Sequence, residues 1–271
     1  AQPGPSAMPR PSKPMRIQNV EDVPGEYYFR YDEFGADTEV PPHSHSWGHL
    51  NYTPHGSMCM DTAGQRWVSP PQYGVWVPPG VVHSCHVAHA VVYRSVYLAP
   101  ALCRELPAQP CSMRIGAIVK AILADFAVRD VHIPATDADL RLARVLYDQL
   151  RAVPVEPGYL PAAEHPALVE VLTRMRAAPE DHRSLAQWAA SVHMTERTLA
   201  RHCQRELGMG LGEWRQRMRY LLAIDALEAG LSVQQIAYDL GYSTPSAFIA
   251  MFQREAGTSP EQFRREFCMP P

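Results

Sequence analysis

Lysine is nearly absent from this sequence, since Lys13 and Lys120 are the only two lysines among the 25 basic residues. The chain also has no excess of positive charge, because its formal net charge is −3. From His165 onward, 12 Arg balance 12 Asp and Glu. The C-terminal region is therefore not a uniformly basic nucleic-acid-binding domain, and any contact with a polyanion must come from local placement of arginine. Arginine suits that role, because its planar guanidinium makes bidentate contacts with phosphate and guanine.

The sequence also lacks the patterns of a membrane span, a disulfide framework and an export signal. No uncharged apolar run reaches the roughly 18 residues of a membrane span. The six cysteines include no Cys-x-x-Cys pair, which favours reduced thiols in the cytoplasm over disulfides or a structural zinc knot. The N-terminus is rich in Pro and Ser without an apolar block. We therefore expect residues 1–25 to be a disordered leader and the protein to be cytoplasmic.

The pattern that follows the leader is β in its first part and helical afterwards, so the sequence predicts an α+β protein. Between residues 26 and 100, short β-branched and aromatic runs such as Val91–Tyr97 alternate with Pro and Gly, which is typical of a small jelly-roll barrel. Within 113–152 the apolar spacing becomes helical. Those helices either pack against the barrel or form a dimer interface. We interpret 153–164 as a Pro- and Gly-rich linker and 165–268 as all-α.

Two segments of the C-terminal third repeat each other. Ser184–Gly208 and Ser232–Gly257 both open with Ser, place Gln and Ala at matching positions, and close on Gln-Arg-Glu before a final apolar residue and Gly. Each reads as a helix, a tight turn and a second helix, with Ser as N-cap and Gly as C-cap. A long helix over Leu211–Leu227 joins them and would fix their separation. The repeat predicts two helix-turn-helix units.

The tandem repeat, with its ending GYSTPSAFIAMFQREAGTSPEQFR, resembles the DNA-binding domain of AraC/XylS-type transcription regulators. The resemblance covers about 100 residues and implies two recognition helices in successive major-groove segments of double-stranded DNA, about 34 Å apart. It further implies a homodimer, with RNA polymerase as a candidate partner.

The candidate DNA contacts follow residue by residue from the matching positions. Arg197 and Arg201 lie either side of inward-facing Leu199, and the positions that match them in the second unit are Ser246 and Ala250. We therefore predict that the first unit reads bases and that the second positions the backbone. The full predicted set is Thr195, Arg197, Arg201, Arg205, Ser243, Thr244 and Ser246.

Histidines in the barrel form a second pattern. His43, His45, His49 and Gly56, followed by Pro78, Gly80 and His83, have the spacing of the two cupin motifs, with His49 in place of the usual glutamate. Four neutral imidazoles at His43, His45, His49 and His83 would suit a divalent transition metal: Zn, Ni, Co, Fe or Cu. In the alternative interpretation the histidines are only polar groups of a pocket that binds an organic effector.

These patterns leave three functions open. The first is a transcription regulator, not an enzyme, that responds to a small molecule or a divalent metal bound in the barrel. The second is a metal-dependent cupin enzyme of dioxygenase or isomerase type fused to a DNA-binding module, although it leaves the repeat unexplained. The third is a constitutive DNA-binding protein whose inert barrel only dimerises.

Overall fold

We analysed a computed structural model that describes residues 25–54, 56–87, 90–156 and 158–267. The predicted leader, apart from its last residue, lies outside these ranges. His55, His89 and Cys268 also lie outside them.

Two antiparallel sheets packed face to face form the N-terminal half. The larger has the strand order β1-β8-β3-β6-β9-β10 and the smaller β2-β7-β4-β5. The non-sequential order makes this the predicted jelly-roll-like sandwich. The strands are β1 (Tyr27–Phe34), β2 (Thr38–His43), β3 (Gly48–Tyr52), β4 (Met58–Thr62), β5 (Gln65–Ser69), β6 (Tyr73–Val77), β7 (His83–Val87), β8 (Val91–Leu98), β9 (Cys111–Arg114) and β10 (Val155–Glu156).

The larger sheet extends beyond the residues that the sequence assigned to the barrel. β9 pairs with β6, and β10 pairs with β9, so two strands lie outside the expected range 26–100. β10 falls inside the stretch that we interpreted as a linker. Both strands are short and pair with residues distant in sequence. A local pattern of apolar residues therefore does not reveal them.

Three helices follow the barrel: α1 (Pro100–Cys103), α2 (Ala117–Val128) and α3 (Asp137–Ala152). One face of the pair α2–α3, including Phe126 and Leu146, is buried in a core shared with the strands. In the structure, the segment 113–152 therefore packs against the barrel. Ile118, Leu140 and Val145 remain exposed on the outer side, so the dimer interface stays a prediction.

The C-terminal half consists of the predicted tandem units. Its helices are α4 (Pro166–Ala177), α5 (Leu185–Ser191), α6 (Glu196–Leu207), α7 (Leu211–Glu228), α8 (Val233–Asp239), α9 (Pro245–Ala256) and α10 (Pro260–Phe267). Ser184 and Ser232 cap α5 and α8 through their side chains, and Gly208 and Gly257 end α6 and α9 in the left-handed conformation. Within the described ranges, none of the helices combines the length and apolar character that a membrane crossing requires.

The turns of the two units share one backbone conformation. Gly241 has φ +80°, and a Cβ at this position would lie 2.7 Å from backbone atoms of Glu180. Glycine is therefore required in the second turn. The matching residue of the first turn, His193, adopts φ 56° with a side chain that points to solvent.

The two halves meet in a continuous apolar core. Tyr73 of β6 lies 4.9 Å from Tyr159, measured between ring centroids, and Tyr159 lies 6.2 Å from Tyr220 of α7. The Tyr220 hydroxyl also donates to Gln72 Oε1 at 3.2 Å. The segment after β10 is thus packed between the barrel and the C-terminal helices, whereas its Pro- and Gly-rich composition predicted a linker.

Candidate metal centre and DNA-binding surface

All four predicted histidines meet between the two sheets. His43 on β2 and His83 on β7 are cross-strand neighbours, and their ring centroids lie 4.3 Å apart. His49, on β3 of the other sheet, lies 4.6 Å from His83 and 5.2 Å from His45 by the same measure. One ligand atom each from His43, His45 and His83 lies within 4.8 Å of the others, whereas His49 sits deeper beside this trio.

The position of His45 differs from the sequence expectation. Alternation along one strand would place His43 and His45 on the same face, but β2 ends at His43 and a bulge follows Val40. His45 instead lies in the connection to β3. The backbone N–H of Gly80 donates to the His45 carbonyl at 2.7 Å, so the Pro-Pro-Gly turn holds the loop and its imidazole in place.

Hydrogen bonds fix the tautomer of the paired rings. His43 Nδ1 lies 2.8 Å from the Pro41 carbonyl oxygen, and His83 Nδ1 lies 3.0 Å from that of Val81. A carbonyl can only accept, so each neutral ring donates through Nδ1–H and keeps its lone pair on Nε2. Metal-binding histidines are oriented in this way in other proteins.

Three Nε2 atoms of the cluster have no partner. Those of His45, His49 and His83 are buried, and no described group hydrogen-bonds to them. An unsatisfied buried polar atom costs about 1–3 kcal/mol. A cation held by these lone pairs would remove that cost, so the donor set fits a transition metal bound by neutral imidazoles.

Three rings of the cluster, those of His45, His49 and His83, are neutral near neutral pH. Burial lowers the pKa of His45 to about 4, and the neighbouring imidazoles of His43 and His83 add to the shift. Burial likewise lowers the pKa of His83 to about 4 and holds that of His49 well below its ordinary value. Because a metal competes with protons for the same nitrogens, neutral rings are the form that binds.

The space beside the histidines is small. A cavity of about 30 Å³ lies between the sheets, lined by His43, His49 and His83 together with Arg30, Asn51 and Tyr93. This volume is about one water molecule's share of the liquid. Pockets for organic ligands are typically about 300–1,000 Å³. The cavity beside the histidines is therefore of a size for an ion or a single water molecule.

The predicted base-reading arginines lie on the exposed face of α6. Arg197 and Arg201 point to solvent on either side of Leu199, which is fully buried. No described group forms a hydrogen bond or ion pair with either guanidinium. Both side chains are therefore available to a nucleic acid.

The other predicted contacts are exposed but partly engaged. Thr195 and Thr244 each accept a backbone N–H as N-caps of α6 and α9, at 3.2 Å in both cases. Arg205 donates to Glu206 Oε1 at 2.8 Å, which partly neutralises its charge. Ser243 and Ser246 are exposed at the start of α9.

Comparison with known proteins identifies the family. A family model described as an AraC-like ligand binding domain matches residues 26–132, and a helix-turn-helix domain model matches residues 188–266. The HTH-type transcriptional regulator NimR of Escherichia coli is 32% identical over 223 residues, covering 82% of this chain and 81% of NimR. This chain belongs to the AraC family of transcription regulators. It combines a ligand-binding domain with a helix-turn-helix DNA-binding domain.

Solved structures of other proteins also match at low similarity. ToxT from Vibrio cholerae aligns with a TM-score of 0.40 and 9% identity, over 90% of this chain and 100% of ToxT. The DNA-binding domain of AdpA, determined in complex with a target DNA, aligns with a TM-score of 0.36 and 28% identity, over 37% of this chain and 91% of that domain.

Two functional candidates of this AraC-family chain escaped the sequence analysis. Asn51 Oδ1 accepts hydrogen bonds from the Tyr93 hydroxyl at 2.5 Å and from His49 Nδ1 at 3.1 Å, and so orients the His49 ring. Residues two apart on a strand face the same side, so the position of His49 on a strand would have indicated Asn51.

Arg254, one turn beyond Ala250 on α9, is exposed and matches Arg205 of the first unit. Alignment of the two repeated segments would have indicated Arg254, because it occupies the position of Arg205.

Proposed function

We propose that this AraC-family protein is a sequence-specific transcription regulator whose DNA affinity responds to a divalent transition metal bound by His43, His45 and His83, with His49 as a fourth ligand. The observation that carries the proposal is the set of buried, unpartnered Nε2 atoms of His45, His49 and His83. In His49 and His83 a hydrogen bond on the opposite nitrogen also orients the ring. The small cavity supports an ion over an organic effector inside the barrel.

The fold offers a rigid connection between this site and the DNA-binding domain. Val77 at the end of β6 pairs with His49, and Tyr73 at the beginning of the same strand packs on Tyr159. A metal that draws β2, β3 and β7 together would act on a strand whose other end abuts the helices. Coupling of this kind typically changes affinity by about 5- to 150-fold.

The first test is metal stoichiometry of the purified full-length chain by elemental analysis and calorimetry with Zn, Ni, Co, Fe and Cu. We expect one ion per chain, lost in His45→Ala and His83→Ala because each removes a ligand. His86→Ala is the matched control, since His86 lies on the same strand β7 with the opposite parity to His83. Metal binding that survives both ligand variants would rule out this site.

The second test is DNA affinity, measured by fluorescence anisotropy on duplexes that the protein itself selects from random sequence. Chelator should change the affinity of the wild-type protein and of His86→Ala by about 5- to 150-fold, and should leave His83→Ala unchanged. Stoichiometric metal with no effect of chelator on DNA binding would make the ion structural and would refute the response.

A further inference from the structure

A cavity with largely apolar walls lies outside the barrel, between the two halves of the molecule. Its volume is about 500 Å³, within the range of small-molecule sites. The barrel contributes the β4–β5 hairpin with Trp67, the segment after β10 contributes Leu160, and α7 contributes Met218, Leu221 and Leu222.

This cavity lies where three cores meet. Trp67 belongs to the core of the barrel, Met218 to that of the first helix-turn-helix unit, and Leu221 to that of the second. Leu160 and Leu222 each pack against the cores of both units. A molecule in this cavity would therefore touch the sensor domain and both DNA-binding units at once.

Two arginines stand at the edge of the apolar walls, and only one is neutralised. Arg66 forms a bidentate ion pair with Asp61 at 2.9 and 3.0 Å. The guanidinium of Arg176, near the end of α4, lies 5.2 Å from the ring centroid of Trp214. No carboxylate in the described ranges pairs with Arg176. An unpaired guanidinium beside an apolar cavity favours an anionic group on an otherwise apolar ligand.

We infer that this interdomain cavity is the site of an organic effector, an amphipathic molecule with one carboxylate or similar anion held by Arg176 and an apolar body between Trp67 and α7. The inference adds a second input to the proposed function. It rests on the DNA-binding half of that function and not on the metal half.

The binding test uses 2-naphthoate and its neutral counterpart 2-naphthalenemethanol, titrated into the full-length protein by calorimetry. We expect one naphthoate per chain and an affinity at least about tenfold higher than that of the alcohol, because a hydrogen bond to a charged group is lost in the alcohol. Equal affinities for the two compounds would refute the anionic class.

Variants of residues that line the cavity test whether the two compounds bind there. Arg176→Gln should abolish the preference for the anion, and Arg176→Lys should keep most of it. Leu222→Trp should fill the cavity and weaken both compounds at least tenfold. Arg174→Gln is the matched control, since Arg174 lies on the same helix but pairs with Glu170 and does not line the cavity. If Arg176→Gln and Leu222→Trp bind like the wild type, the site is elsewhere and the inference fails.

Further measurements distinguish the metal at the histidines from the organic effector in the interdomain cavity. Naphthoate should change DNA affinity in the wild type and in His45→Ala alike, but not in Leu222→Trp. Binding that disappears in His45→Ala would place the ligand at the histidines instead and overturn the inference. Binding that appears only after residues 2–24 are removed would show that the chain's own N-terminal segment is the occupant, which also overturns it.

Discussion

Glu206 joins the first recognition helix to the helix that precedes the unit. One of its carboxylate oxygens accepts the backbone N–H groups of Glu164 at 3.0 Å and His165 at 2.9 Å, immediately before α4 begins. The other accepts from Arg205. A carboxylate at a helix N-terminus also interacts favourably with the helix dipole. These donors, the His165 N–H first, lower the pKa of Glu206 to about 2.

We predict that Glu206→Gln destabilises the protein by about 1–2 kcal/mol near neutral pH, because charged hydrogen bonds become neutral ones. The folded-state pKa lies below the ordinary value of 4.5, so the stabilisation is complete above that value and is lost as the pH falls toward about 2. The difference in unfolding free energy between wild type and variant should therefore shrink in acid. Urea denaturation at several pH values measures it.

Glu170→Gln is the control for this prediction. Glu170 pairs with Arg174 on an exposed helix face, where such a pair contributes about 0.3–0.5 kcal/mol. A pH-independent difference for Glu206→Gln, or one no larger than that of the control, would contradict the assigned role.

Single residues of the candidate metal site were predictable because each carries its own chemistry. Histidine type and spacing indicated His43, His45, His49 and His83 without any knowledge of the fold. The tautomers were not predictable, since they depend on which backbone carbonyl each Nδ1 meets. The loop position of His45 was not predictable either, since it depends on a turn far along the chain.

At the scale of the element, the two recognition helices are equivalent in geometry and different in chemistry. Positions 197, 201 and 205 of α6 carry three arginines, whereas the matching positions of α9 carry Ser246, Ala250 and Arg254. Arg215 of α7 and Arg254 line one polar groove beside Ala250. The exposed face of α9 therefore carries positive charge that can contact phosphate, but few side chains that can form hydrogen bonds with a base edge.

We predict that Arg201→Ala costs about 1–3 kcal/mol on the preferred duplex and reduces discrimination among variant sites. Arg254→Ala should weaken all sequences about equally and lower the salt dependence by about one counterion. Anisotropy titrations across a panel of single-base variants at several salt concentrations distinguish the two. If Arg201→Ala weakens every duplex equally, the assignment of base reading to the first unit is wrong.

The elements of the two halves differed in how well the sequence predicted them. Helix boundaries in the repeat followed from Ser caps, Gly ends and apolar spacing, all of which are local signals. Strands β9 and β10 depend on partners distant in the chain, and no periodicity within two to four residues reveals such pairing. The same limit hid the interdomain cavity, whose lining comes from four separate stretches of the chain.

At the scale of the whole molecule, the segment after β10 packs the barrel against the DNA-binding helices. Tyr159 is 2% exposed and lies between Tyr73 of the barrel and Tyr220 of α7. Its hydroxyl is buried and has no hydrogen-bond partner in the described ranges, so the ring rather than the hydroxyl supplies the stabilisation. Removing the ring should leave a cavity at the junction of the two halves.

We predict that Tyr159→Ala costs about 3–5 kcal/mol, as for other large aromatic truncations, and splits a single calorimetric unfolding transition into two. Tyr159→Phe is the matched control and should be neutral or slightly stabilising, because it removes an unsatisfied polar atom and keeps the packing. The same alanine variant should bind metal normally and lose the effect of chelator on DNA affinity, since the barrel would no longer bear on α7. Two transitions already present in the wild type would contradict the prediction of a single transition. An effect of chelator on DNA affinity that survives Tyr159→Ala would mean that the metal site is coupled to the DNA-binding domain through another contact.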